Sequence, residues 1–399
     1  MNETAQNNNE RAVKQITSAA FISIFVYSIV VSIPGVLINE VVDAFSLSGT
    51  DEGLMGALTS LGFLLSMLFV VMIQGRFKKT VVLASAFVVQ SFALFFCGFS
   101  PTFLLFCIFC TLIGFSGGFI DTFTNSSVVD LQTGDNTKSL GFLHGLFGVG
   151  SLLSPLLFVW LLQYTDWRGS HYMAAIASVL VAVLVFTLTN RSGKDLNENV
   201  VREHLFTKAD LLAYLRVKRN AALAFSGFFA MFSIAAVLVW IVRYMTLQYN
   251  AAELGALSIT VYWICSTINR FLFVHFTKRA PMLFFSLGAV LSGICVIVGV
   301  FSGNPVILCV MMGAFGLCSG HFIPVLISEC AAGYEGRTTF TTSFIMFVMC
   351  IARVISPIIM AFTSTQVSLS AGMMIPVAAT LAAAGCGWLS IKQGVKKIT

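Results

Sequence analysis

The chain has 399 residues, of which 57% are hydrophobic and 10% are charged, and its formal net charge is +6. Soluble proteins carry about 25% charged residues, so this composition excludes an ordinary soluble domain. The basic residues are spread through short connectors instead of forming one patch, which indicates a lipid bilayer as partner and no nucleic acid.

Twelve apolar stretches follow one another along the chain, and each is long enough to cross a bilayer as a helix. In chain order they are predicted at residues 15–39, 53–74, 81–99, 102–129, 140–163, 171–190, 220–246, 253–275, 282–301, 305–330, 340–362 and 371–391. Within lipid an isolated strand cannot satisfy its backbone hydrogen bonds, so the stretches predict helices. The predicted fold class is an all-α membrane protein with twelve transmembrane helices.

Basic residues are distributed unevenly between alternate connectors. One set contains Arg76, Lys138 and Lys218 among many others, whereas the other set contains Arg168 and little else. Under the positive-inside rule, this asymmetry places both termini in the cytoplasm. We predict an integral protein of the plasma membrane, of the bacterial inner-membrane type, that acts as a monomer.

The longest connector divides six predicted spans from six. The predicted organisation is a cytoplasmic tail at 1–14, a six-helix bundle at 15–190, a cytoplasmic linker at 191–219, a second bundle at 220–391 and a tail at 392–399. Ser154-Pro155 in the fifth span recurs as Ser356-Pro357 in the eleventh, about 200 positions later, and duplicated halves of this kind are typical of transporters. Within the linker, Thr207 begins either a short amphipathic helix with a capping start or a solvated connector.

The loop after the second span and the duplicated halves resemble the major facilitator superfamily over essentially the whole chain. The superfamily's loop usually reads G-x-x-x-D-R-x-G-R-K, and here Arg76-Phe77-Lys78-Lys79 remains with Gly75 in the usual Asp position. The resemblance implies gating by Arg76 and Lys78, and by Lys278 and Arg279 in the second half. Arg270, at the inner end of the eighth span, either takes part in gating or forms an ion pair facing a loop.

Several spans are similar to one branch of the superfamily, which contains fucose:proton symporters and sodium-dependent glucose transporters. The similarity lies in Gly114–Asn125 of the fourth span, His144–Gly150 of the fifth, and Trp240 and Tyr262-Trp263 of the seventh and eighth. It implies uptake of a small polar solute, a monosaccharide above all, driven by a gradient of protons or sodium ions. Alternating access around a central site would carry out this transport.

Asp121 is the acid well inside a predicted span of the first half. A charge at the helix centre costs about 2.5–3.5 kcal/mol on insertion scales, so an Asp there indicates function. Burial favours the neutral carboxyl group, which suits reversible proton uptake. Gly114, Gly118 and Asn125 share its helix face, so Asn125 would hydrogen-bond the carboxyl group or a sugar hydroxyl. The alternative is an Asp satisfied by contacts between helices, without transport work.

Four further residues are candidates for the site. His144 would relay a proton or bind substrate, since imidazole titrates close to neutral pH, or would be a structural histidine. His321 lies about 200 positions after Asp121, so the repeat places it opposite as a second substrate-binding candidate. Trp240 either stacks on a sugar ring or belongs to an interfacial aromatic belt. Arg353, inside the eleventh span, either holds an anionic substrate or pairs with Asp121, or else rests on backbone carbonyls or snorkels toward the outer surface.

The sequence leaves several functions open. The leading hypothesis is proton-coupled uptake with Asp121 and His144 as coupling residues, and the main alternative is transport of an organic anion or sugar acid held by Arg353. Export of drugs or metabolites is a further alternative, although the fifth span lacks the glycine pair after Pro155 that many superfamily antiporters carry. No embedded Ser/His/Asp set, HExxH or phosphate-binding loop occurs, so we predict neither an enzyme nor a bound cofactor or metal.

Overall fold

The computed structural model describes residues 3–47, 49–131, 136–192, 207–272, 280–334 and 337–394, which are almost entirely helical. They form sixteen helices, namely α1 (Glu3–Val31), α2 (Ile33–Val36), α3 (Ile38–Phe45), α4 (Gly49–Ile73), α5 (Lys79–Phe99), α6 (Phe103–Leu131), α7 (Asn136–Leu161), α8 (Trp167–Ser192), α9 (Lys208–Arg216), α10 (Lys218–Tyr249), α11 (Ala252–Leu272), α12 (Pro281–Phe301), α13 (Pro305–Ser319), α14 (Phe322–Ala331), α15 (Thr338–Gln366) and α16 (Leu369–Gln393). Lys278 and Arg279, two of the predicted gating residues, lie outside the described residues.

Ten helical segments of the described chain are long and apolar enough to cross a membrane, with α13 and α14 counted as one. The shorter apolar stretch Ala57–Ile73 lies within α4. Helix α11 corresponds to the eighth predicted span and includes polar side chains such as Asn269 and Arg270. The predicted all-α membrane fold is confirmed.

From the sequence, Pro34 in the first span and Pro324 in the tenth predict interruptions of their helices, and both interruptions are observed. Proline has no N–H and clashes with the carbonyl four residues earlier, so helices break in the preceding turn. Helix α1 accordingly ends at Val31, three residues before Pro34, and the tenth span breaks between α13 and α14 at Gly320 and His321, ahead of Pro324.

The first span continues as helix beyond its predicted end at residue 39. The acidic residues after the first predicted span, Glu40 and Asp43 among them, indicate a connector on the outer side, but α3 runs to Phe45 and its apolar side is buried, with Val41 1% exposed. The ring of Phe45 lies 5.6 Å from that of Trp167 and 5.9 Å from that of Phe106. Burial of this aromatic cluster stabilises a helix whose other face carries the acidic side chains.

Contacts divide the chain into two compact units. The first contains Met1–Gly134, Val149–Phe206 and Glu335–Ser343, and within it α6 packs on α1, α4 and α5, while α8 packs on α1 and α5. The second contains Asp135–Gly148, Thr207–Tyr334 and Phe344–Thr399, with α10 and α12 both packed on α16 and α11 packed on α13. Helices α7 and α15 each contribute to both units. The division into two six-helix halves stays a prediction, because these units are defined by contacts and not by topology.

Two glycines bring α4 and α6 into close contact in the first unit. A Cβ atom on Gly114 would lie 1.9 Å from the carbonyl oxygen of Thr59, and one on Gly62 would lie 2.0 Å from that of Thr111. Close backbone approach of this kind is how small residues hold helices together in lipid. The glycines therefore fix α6, the helix that carries Asp121.

Helix α9 has the predicted capping start. The hydroxyl of Thr207 accepts a hydrogen bond from the backbone N–H of Asp210, and the Asp210 carboxylate accepts one from the backbone N–H of Thr207 at 2.8 Å. This reciprocal capping box satisfies two backbone donors that begin the helix. Of the two open interpretations, the short helix with a capping start is observed, while its amphipathic character and its position on a membrane surface stay predictions.

Candidate functional site

Asp121 is buried inside α6 and is hydrogen-bonded within its own helix. Asn125, one turn further on, donates from Nδ2 to Asp121 Oδ1 at 2.7 Å and to the Asp121 carbonyl at 2.8 Å. Asn125 is fully buried, and Asp121 is 8% exposed. The predicted pairing of the amide with the carboxyl group is thus observed, in a place where an unpaired charge would be costly.

Helix α1 adds polar groups at the depth of Asp121. The side chain of Tyr27 packs against Gly117, with its hydroxyl oxygen 2.7 Å from the position a Cβ would take. Spans 1 and 4 cross the membrane in opposite directions, so Ser23, one turn before Tyr27, lies level with Asp121, one turn after Gly117. The hydroxyl of Ser23 is buried and has no hydrogen-bond partner among the described residues, and the same holds for Thr124 on α6. Helix spacing thus places the hydroxyl of Ser23 on α1 at the depth of Asp121 on α6.

His144 and Arg270 meet in the second unit. Both side chains are buried, and Arg270 donates from a terminal guanidinium nitrogen to the backbone carbonyl of His144 at 3.0 Å. No acidic side chain pairs with Arg270 among the described residues, in contrast to the loop-facing ion pair that was one of its two predicted roles. The proton relay predicted for His144 and the gating predicted for Arg270 stay predictions.

Arg270 also compensates for the break between α13 and α14. Pro324 cannot donate to the carbonyl of Gly320 four residues earlier. That carbonyl accepts instead from Nε of Arg270 at 3.1 Å. A Cβ on Gly320 would lie 2.5 Å from the carbonyl oxygen of Ser266, so only glycine allows α11 this close. Arg270 therefore replaces a helix hydrogen bond with one from the neighbouring helix.

His321 lies among packed helices of the second unit. One ring nitrogen is 3.3 Å from Oδ1 of Asn269, and the other is 3.3 Å from the carbonyl oxygen of Phe284. The side chain is 3% exposed. Both ring nitrogens thus have protein partners at the helix break, and the substrate contact predicted for His321 stays a prediction.

Trp240 is nearly buried in α10, and its ring is covered on one side by a cation. The guanidinium carbon of the exposed residue Arg243 lies 5.5 Å from the ring centroid. A cation over the face of an indole ring is a favourable contact that requires no bound ligand. The stacking of a sugar on Trp240 stays a prediction.

Arg353 is exposed on the side of α15 that is otherwise buried. Met346, Met349 and Met360, at positions −7, −4 and +7 from Arg353, share its helix face and are buried. The most exposed apolar side chain of α15, Phe362 at 68%, is nine residues on and therefore points about 180° away. No hydrogen bond or ion pair of the Arg353 side chain is found among the described residues. Its pairing with Asp121 stays a prediction.

The structure places buried ion pairs where the sequence analysis did not. Lys79 pairs with Asp130, and Thr338 at the start of α15 bridges them, accepting from Lys79 at 2.9 Å and donating to Asp130 at 2.7 Å. Arg219 at the start of α10 pairs with Glu329 near the end of α14. Of the predicted gating residues, Arg76 is exposed and Lys78 is the residue that precedes α5. Lys79 belongs to the same basic motif as Arg76 and Lys78. Its partner Asp130 follows the predicted end of the fourth span at residue 129, so the sequence analysis did not consider it as a site residue.

Ten membrane-length apolar helical segments among the described residues, together with the buried polar side chains of Asp121 and Arg270 inside them or beside them, are features of a membrane transporter. Residues 20–357 match the Major Facilitator Superfamily, so the chain belongs to that superfamily, whose members are transporters and not enzymes. No curated protein matches the sequence.

Three solved structures are similar to the whole chain. FucP, the E. coli fucose:proton symporter, in its outward conformation, is 14% identical with a TM-score of 0.74, over 95% of this chain and 99% of that one. The human organic anion transporter MFSD10 (TETRAN) is 14% identical with a TM-score of 0.74, over 95% and 99%. The proton:xylose symporter XylE is 13% identical with a TM-score of 0.73, over 95% and 96%. At this level of identity the likeness shows the fold alone.

Proposed function

We propose that this transporter is a proton-coupled symporter that takes up a small polar solute of monosaccharide size, with Asp121 as the residue that binds the coupling proton. It would work in a bacterial plasma membrane, as a monomer with cytoplasmic termini. The observation that carries the proposal is the buried Asp121 carboxyl group, paired with Asn125 and level with the unpartnered hydroxyl of Ser23.

The surroundings of Asp121 suit a group that changes its protonation state. When the acid is ionised, the Asn125 amide donates to it at 2.7 Å and offsets part of the desolvation cost. When the acid is neutral, its own proton needs an acceptor, and a neighbouring hydroxyl oxygen can fill that role. Neither state then leaves an unpaired charge in the apolar bundle. The proton symporters FucP and XylE share the fold, which supports the proposal.

The test measures accumulation of radiolabelled sugars and sugar acids in proteoliposomes under an imposed pH gradient. One proton moving down a one-unit pH difference releases about 1.4 kcal/mol, enough for about tenfold accumulation. In Asp121→Asn we expect accumulation to fall to equilibrium while exchange of labelled for unlabelled solute continues. Asp166→Asn, at an exposed acid before α8, is the matched control and should accumulate normally.

Two results would contradict this assignment. Gradient-driven accumulation that persists in Asp121→Asn would remove Asp121 from the coupling role. Accumulation that follows an imposed sodium gradient and ignores the proton gradient would replace the proton by sodium as the coupling ion.

A further inference from the structure

We propose that Arg353 binds a carboxylate of the transported solute, so that the solute is a sugar acid rather than a neutral sugar. The inference rests on the proposed function, because it names the charge of the substrate that the symporter would carry. It starts from the position of Arg353 on its helix.

Arg353 interrupts a buried stripe of α15. Residues Met346, Met349, Cys350, Ser356 and Met360 surround it on the same face and are buried, yet the guanidinium is exposed. The most exposed apolar side chains of α15, Ile358 at 65% and Phe362 at 68%, point about 140° and 180° away from Arg353, so Arg353 does not lie on the most exposed apolar face of its helix. The Arg353 side chain is therefore accessible on a face of α15 whose neighbouring side chains are mostly buried.

The second half of the chain offers Arg353 almost no counter-charge. Among the membrane helices α10 to α16, the only acidic residues are Glu253 at the start of α11 and Glu329, which pairs with Arg219. Helix α15 itself contains no Asp or Glu. An unpaired cation inside a span costs about 2.5–3.5 kcal/mol on insertion scales. An anion brought by the solute would offset that cost, and a neutral sugar would not.

The same stretch of α15 supplies groups for the hydroxyls of a sugar acid. Pro357 follows Arg353 by four residues, so the Arg353 carbonyl receives no helix hydrogen bond and is an available acceptor. The hydroxyl of Ser356, three residues after Arg353, lies within about 60° of it around the helix and is buried without a partner among the described residues. Guanidinium binds carboxylate through two parallel hydrogen bonds, while carbonyls and hydroxyls bind alcohol groups.

The experiment compares neutral hexoses with the matching hexuronates on the purified full chain. Thermal stabilisation is measured with D-glucose and D-galactose and with D-glucuronate and D-galacturonate, each over a range of concentrations, for the wild type and three variants. Arg353→Gln removes the charge, and Arg353→Lys keeps the charge but loses the planar fork. Arg216→Gln, at an exposed arginine of α9 outside the membrane spans, is the control. Stabilisation follows RT ln(1 + [L]/Kd), so each series yields an affinity.

We expect the wild type and the Arg216→Gln control to have the same Kd for a hexuronate. In Arg353→Gln this Kd should rise by about tenfold or more, because a charge-assisted hydrogen-bond pair is lost. Arg353→Lys should recover part of that loss, which separates recognition from a folding defect. The midpoint without ligand checks that each variant is folded.

A neutral hexose that binds wild type and Arg353→Gln alike, with no binding of hexuronates, would overturn the inference and leave proton-coupled sugar uptake intact. Hexuronate binding that is unchanged in Arg353→Gln would also overturn it. Conversely, hexuronate uptake could depend on Arg353 while the Asp121→Asn variant still accumulates hexuronate under an imposed pH gradient. That result would support the inference and remove Asp121 as the coupling acid. The two proposals therefore fail separately.

Discussion

The bond between Arg270 and the carbonyl freed by Pro324 makes a quantitative prediction about two residues on different helices. Replacing Arg270 by Met leaves two buried carbonyls, those of Gly320 and His144, without their donors. Each buried carbonyl left unpaired costs about 1–3 kcal/mol. The relief of desolvation on removing a buried charge offsets part of this loss, so the cost of the single variant alone does not identify the bond.

A second substitution isolates the bond to Gly320. The backbone at Gly320 and His321 has helical dihedral angles, so Pro324→Ala should let the new N–H reach the Gly320 carbonyl without rearrangement. Arg270→Met would then leave one orphan carbonyl instead of two. We expect it to cost about 1–3 kcal/mol less in the Pro324→Ala background than in the wild type.

The assay is reversible unfolding in mixed detergent micelles of the wild type, the two single variants and the double variant. Pro376→Ala in α16 is the control, because its freed carbonyl belongs to Gly372, which Arg270 does not contact. Arg270→Met and Pro376→Ala should be additive. If Arg270→Met costs the same with and without Pro324, the view that Arg270 replaces the missing helix bond is refuted.

Two further predictions concern the first unit. Lys79→Met should destabilise the protein by about 3–5 kcal/mol, because Asp130 is left as a buried uncompensated charge. In the same unfolding assay, the double variant Lys79→Met/Asp130→Asn should recover much of this loss. A double variant no more stable than Lys79→Met would contradict the ion pair as the cause. Gly114→Ala should lower the unfolding midpoint strongly, because its Cβ would lie 1.9 Å from the Thr59 carbonyl oxygen. Gly385→Ala is the control: its Cβ would have no atom within 4 Å, so stability should stay unchanged or rise slightly. Equal midpoints for the two variants would show that α4 and α6 are not in close contact.

The spans and two of their breaks could be predicted because each depends on residues that are adjacent in the chain. Apolar length decides where a helix crosses lipid, and Pro34 and Pro324 act on their own preceding turns. The pairing of Asp121 with Asn125 belongs to the same class, since one turn separates them.

Contacts between distant segments could not be predicted in this way. Asp130 is the partner of Lys79 because α5, α6 and the start of α15 meet in three dimensions, and hydropathy carries no information on that choice. The orientation of Arg353 was equally hidden, since methionines on one side of α15 and isoleucine and phenylalanine on the other are all apolar. Only packing distinguishes the two sides.

The glycine contact between α4 and α6 limits how the first unit can move. Gly62 faces the carbonyl of Thr111 while Gly114 faces that of Thr59, so each backbone fits into the other at two places. If α4 slid along α6, backbone carbonyl oxygens would clash with Cα atoms of the other helix. The two helices are therefore expected to move together as one rigid body. Any deformation of this unit during transport must therefore occur elsewhere. The interrupted segment around Pro34, where the long helix α1 is followed by the short helices α2 and α3 with single residues between them, is where the backbone can bend without losing that fit.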